Sequence, residues 1–193
     1  MIFTGNEDNW FGGFYELALE YRHVSEETLR SALRAIWSTP GVQGCYASNQ
    51  VEPEAQVPMP AGHFIDGGHI YGVAELPAGH RLPCGLYVVS LDTGETWIDF
   101  YLPQGAIDSV GLSHYEPRGS QEWRRPVDEW LCQIGQTAFD AAPFLLGLVG
   151  HEICAEVDAE VISRHGVPNE REFVYLTPNE GRLEVHLPTM LQY

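Results

Sequence analysis

Lysine is absent from this chain: all ten of its basic residues are arginine. No residue can therefore supply the amine of a Schiff base or the phosphate-binding lysine of a P-loop, and both chemistries are excluded. Positive charge is scarce altogether, with 27 acidic residues against 10 basic ones and a formal net charge of −17. A field of that sign repels phosphate backbones and anionic lipid, because affinity for either rests on Lys and Arg. Nucleic acid and membrane surfaces are excluded as expected partners, and a basic protein or a cation is favoured.

Long apolar runs are missing too. The longest, AAPFLLGLVG, is about half of the ~20 residues that a membrane span requires. The opening MIFTGNEDNW has neither a basic n-region nor an apolar core, so the expected location is the cytoplasm. Cysteines 45, 84, 132 and 154 form no CxxC pair and no short secreted framework, which predicts buried free thiols. There is no GxSxG elbow, no GxGxxG after a strand and no cofactor fingerprint, so no cofactor is expected.

What is present is a packed globular composition, 44% hydrophobic and 11% aromatic over 193 residues. That length predicts one domain. FYELALEYR alternates, with Tyr15, Leu17, Leu19 and Tyr21 on one side and Glu16, Ala18 and Glu20 on the other, as in a half-buried strand. Ser25 offers a helix N-cap before Leu29, Ala32, Leu33, Ile36 and Trp37 at helical spacing, and Pro40-Gly41 ends that helix. Residues 47–62, rich in proline, read as a loop within the domain.

Three strand patterns follow, HIYGVAEL, GLYVVSL and TWIDFYL. The last two form a hairpin in which Val89 is expected to face Ile98 and Tyr87 to face Phe100. A second helix is predicted from Pro126 to Ala142, then a buried strand in FLLGLVG, a short helix in VDAEVISRH and a terminal hairpin of REFVYL and RLEVHL. The order βαβββαβαββ predicts an α+β fold: a single domain with a mostly antiparallel sheet and two or three helices packed mainly on one face.

Three stretches invite chemistry. In HFIDGGHIYG the pair Gly67-Gly68 predicts a hairpin turn with Phe64 facing Tyr71 and Asp66 facing His69. His63 then points to the opposite side, so no metal site is expected from this stretch alone. GHEICAE begins as a zincin does, but the position of the second histidine is Ala155. Cys84 with His80 across a turn is the nearest approach to a thiol and base, and an ordinary half-buried cysteine explains it as well. His63, Asp66, His69, His151 and Glu152 remain the candidates for a metal-assisted hydrolase, provided that the fold assembles them.

The leading reading is non-enzymatic. If helices cover the face carrying Leu17 and Leu19, the other face presents Glu16, Glu20, Trp97, Asp99 and Tyr101, with Tyr71 and Glu75 joining from the next strand. Carboxylates among aromatics suit a basic protein partner, since aromatics anchor interfaces while negative charge steers encounter. In size and charge alone the chain resembles bacterial immunity or inhibitor proteins, which mask a basic enzyme. That resemblance implies protein binding rather than catalysis. A third reading is a small-ligand site beneath the loop at 47–62.

Overall fold

The structure, a computed structural model, describes residues 4–63, 67–112 and 121–190. Eight strands form one sheet: β1 (Phe14–Arg22), β2 (Val42–Tyr46), β3 (His69–Glu75), β4 (Arg81–Ser90), β5 (Glu95–Pro103), β6 (Leu146–His151), β7 (Val174–Asn179) and β8 (Arg182–His186). Their order is β2-β3-β4-β5-β1-β6-β7-β8, with every neighbouring pair antiparallel. The helices are α1 (Glu26–Ser38), α2 (Gln104–Ser109), α3 (Arg124–Ala141) and α4 (Ala159–His165). The α+β fold expected from the sequence is the one observed.

The first strand sits at the centre, between one meander of four strands and another of three. It is buried on both faces rather than one, which corrects the half-buried reading: Glu16 and Glu20 are as inaccessible as Leu17 and Leu19. On the first face, Leu17, Leu19, Phe100, Ile98, Leu86 and Val88 pack with Leu33, Ile36, Leu131 and Ile134 of α1 and α3. Helix α1 begins as its sequence dictates, the Ser25 hydroxyl accepting from the Thr28 N–H at 3.2 Å. Tyr15 ties α3 to the sheet, donating from its hydroxyl to Asp128 and accepting from Arg124 Nε at 3.2 Å.

The β4–β5 register differs by one residue from expectation. Val88 faces Ile98, Leu86 faces Phe100, and Val89 faces Trp97 on the opposite side. The cause is the turn. Leu91 N–H closes on Glu95 at 2.8 Å, and Gly94 takes φ +86°, so Ser90 rather than Leu91 pairs with Thr96. One extra residue in a hairpin loop moves a whole strand face.

Part of the second face is covered by chain rather than by solvent. Residues 151–173, including α4, cross it as a strap, and Ile153, Val157, Ile162 and Phe173 pack on Ala18, Trp97, Leu148 and Tyr175. Among the described residues no helix is long and apolar enough to cross a membrane.

Candidate functional site: a buried carboxylate pair beside an open aromatic patch

Strand register places the second-face side chains in rows. One row crosses seven strands as His69, Tyr87, Asp99, Ala18, Leu148, Tyr175 and His186. The next carries Tyr71, Gly85, Tyr101, Glu16 and Gly150. Glu16 and Asp99 are therefore diagonal neighbours on adjacent strands, and both are buried.

Their surroundings differ. One Glu16 oxygen accepts the backbone N–H groups of Ile153 at 2.6 Å and Cys154 at 2.8 Å. These donors lie in a turn where Glu152 and Ala155 hold positive φ of 49° and 59°, a conformation costly for residues other than glycine. Glu16 thus supplies the acceptor that an irregular turn needs where its Ile153 side chain and amide are buried. Glu20 does the same for the N-terminus of α4, accepting from Ala159 N–H at 2.5 Å. Arg22 stands 3.4 Å from Glu20 and 2.7 Å from Glu95. The two acids clasp the strap to the sheet.

Asp99 has no such donors. The Tyr87 hydroxyl, the Cys154 thiol and the Glu16 carboxylate are close enough to act on it electrostatically, but neither of its oxygens has a partner at hydrogen-bonding geometry. Burial, and then the charge of Glu16, hold its pKa well above the usual carboxylate range. Burial also raises Glu16, opposed by the N–H groups of Cys154 and Ile153. Because those donors favour the charged form of Glu16 alone, the pair's proton resides on Asp99.

Asp99 marks the seam where the strap ends. Beyond it the face is aromatic and, among the described residues, partly exposed. Trp10 and Tyr71 rings lie 5.2 Å apart, His69 and Tyr87 5.1 Å, Tyr87 and Tyr101 5.9 Å, and Phe14 and Tyr101 4.3 Å. His69 Nδ1 and the Tyr101 hydroxyl share a hydrogen bond of 2.8 Å, and desolvation lowers the His69 pKa, keeping its ring neutral. Tyr71 and Tyr87 are half-buried, His69 is exposed, and Phe11, next to Trp10 in the chain, is 81% exposed.

Glycine at position 85 makes this packing possible. A Cβ there would stand 2.2 Å from the Tyr101 hydroxyl, and Tyr101, enclosed by Phe14, His69 and Tyr87, has nowhere to move. Gly85→Ala is expected to lower stability by about 1–3 kcal/mol. An unchanged melting temperature would show that Tyr101 is free to relocate.

Of the residues singled out in the sequence, Glu16, Tyr71, Asp99, Tyr101 and His69 are brought together. Glu20 and Trp97 lie under the strap, and Glu75 is exposed opposite Arg81 at the far end of β3. The expectation that this acidic face lies open is corrected: Glu16, Glu20, Trp97, Asp99 and Tyr101 are at most 2% exposed. Sequence reasoning missed Tyr87, which the register slip had placed on the helix side, and Trp10, which precedes the first strand.

The hydrolase candidates are not assembled. His63 sits beside α1, its neighbour Gly62 accepting from Arg30 at 2.8 Å. His151 lies opposite Tyr15 on the helix-covered face, with Glu152 4.0 Å away. His69 is on the other face and four strands distant, roughly 19 Å at the usual strand spacing. Asp66 and Phe64 lie outside the described residues, but the expected hairpin is corrected at Tyr71, which pairs with Gly85 on one side and Tyr46 on the other. Among the described residues no group of three or more His, Cys, Asp or Glu forms a set able to hold a metal ion. Cys84 is fully buried, and burial raises its thiol far above reactivity at neutral pH. No family model, curated protein or solved structure matches this chain.

Proposed function

We propose that this protein is a non-enzymatic binding domain, immunity- or inhibitor-like in action, that docks a basic protein on the open aromatic half of its second face. The observation that carries the reading is the patch itself: Trp10, Tyr71, His69 and Tyr87 in ring contact, with Glu7, Asp8 and Phe11, all exposed, next to Trp10 in the chain. Large, rigid rings that are already packed lose little entropy on binding and serve as anchors. The charge balance supports it. Arg22, Arg30, Arg34, Arg125 and Arg164 are held in local ion pairs, so positive charge is neutralised where it stands and the surplus acids dominate the field.

The test is capture from a lysate of the native cell at low salt, using wild type and a Tyr71→Ser/Tyr87→Ser double variant as baits. A basic protein enriched on the wild type, released by raising salt and reduced at least tenfold on the variant, is expected. Recovery of no basic protein, or equal recovery on both baits, contradicts the proposal.

A further inference from the structure

We propose that two copies of this chain pair through β8, antiparallel about Val185, to join their sheets into one. A sheet of eight strands has two edges, and this protein treats them differently. The β2 edge is closed to pairing. A register shift interrupts it between Gly44 and Tyr46, and the Cys45 carbonyl already accepts from Met59 N–H at 2.8 Å. These are the usual devices by which an edge avoids another chain. Strand β8 has no such shift, and the Leu187 carbonyl that Arg171 engages lies just beyond Arg182–His186. Arg182–His186 contains no proline, no bulge and no lysine, and no element among the described residues lies beyond it.

The hairpin geometry shows which groups the edge offers. Glu180 and Gly181 have φ of 50° and 78°, the two-residue turn of a tight hairpin, so Asn179 and Arg182 form the closing pair. Antiparallel alternation then makes Thr177–Glu184 and Tyr175–His186 the bonded pairs. Leu183 and Val185 direct their N–H and C=O groups outward. Val185 and Leu187, on this edge, are 47% and 41% exposed.

The strand is also complementary to itself. With Val185 opposite Val185 of a second copy, Leu183 meets Leu187 and Glu184 meets His186, each twice by symmetry. All apolar side chains then fall on one face, and the Glu184–His186 contacts on the other. A shift of two residues that centres on Glu184 instead sets like charges opposite each other. The Leu187 carbonyl accepts from Arg171 Nε at 2.9 Å and keeps a second lone pair for the neighbouring copy. Pro188 ends the ladder. Arg182 offsets Glu184, so the strand is locally neutral in a chain of net charge −17.

Sedimentation equilibrium of the wild-type protein at micromolar concentration tests this directly. Twice the 21.6 kDa chain mass is expected, and added salt should favour it by screening the repulsion between acidic chains. Basic-partner binding responds to salt in the opposite sense, so the two proposals fail separately. Val185→Lys, which places two ammonium groups face to face, should raise the dimer dissociation constant at least tenfold. Val185→Thr keeps the strand shape and should remain dimeric. If Val185→Lys disrupts the hairpin by circular dichroism, Leu187→Lys probes the same register. A wild-type protein of single-chain mass, or a folded lysine variant that still dimerises, overturns the proposal.

Discussion

Replacing Asp99 by Asn is expected to stabilise this protein at neutral and alkaline pH by about 1–3 kcal/mol, roughly 3–10 °C in melting temperature. Few substitutions of a buried polar group do that. Asp99 is fully buried, its oxygens lack hydrogen-bond partners, and the carboxylate of Glu16 is its neighbour. Ionising it in that place costs free energy that Asn never incurs, and the amide can donate to Glu16. The pH dependence has a definite sign. Since folding raises the Asp99 pKa, its contribution is most favourable when it is protonated and is lost as pH rises through the folded value. The advantage of Asn should be largest on the alkaline side and vanish as pH falls into the ordinary carboxylate range. Thermal unfolding of both proteins across pH measures this. A variant less stable than wild type at every pH would mean that Asp99 holds an ionised, well-partnered role.

The opposite outcome is expected one row away. Glu16→Ala removes the acceptor for the Ile153 and Cys154 amides, leaving one buried and one half-buried donor and two left-handed residues without compensation. A loss of roughly 2–5 kcal/mol follows from two unsatisfied groups. It should be read as a lowered melting temperature, together with greater protease sensitivity within 152–165. Glu16 and Asp99 are both buried acids with raised pKa values, yet one substitution should destabilise and the other stabilise. The difference lies in what each carboxylate accepts. A loss below the error of measurement for Glu16→Ala would show that the strap is held by its apolar contacts alone.

Much of this fold is written in local periodicity. The alternation of β1, the Ser25 cap with the stripe of α1, and β8 are each recovered within a residue or two, while β7 lies three residues later than REFVYL because Thr177, Pro178 and Asn179 join the ladder. Helix α3 starts at Arg124, two residues before the expected Pro126, because proline is equally at home elsewhere in a first turn. The short β2, interrupted by Gly44, and the six-residue α2 carry too few residues for a period to show. The candidate site was half legible for a different reason. Alternation correctly grouped Glu16, Asp99 and Tyr101 on one face, but acids on a strand read as solvent-facing. Here their partners are backbone amides of the strap, and a backbone donor leaves no mark in a sequence. The turn at Leu91–Glu95 hid Tyr87 likewise, since one residue in a loop decides the side on which a strand's aromatics emerge.

Carboxylates on β1 hold the strap over part of the second face and leave the aromatic remainder beside it. Hydrogen exchange of the unliganded wild-type protein, resolved by mass spectrometry at residues 152–160, tests it most directly. The amides of Ile153, Cys154 and Ala159 are expected to exchange slowly, with β6, because each is bonded to a buried acid. Exchange of those amides at the rate of an unstructured peptide would contradict it, for the strap would then be open and the acidic face exposed.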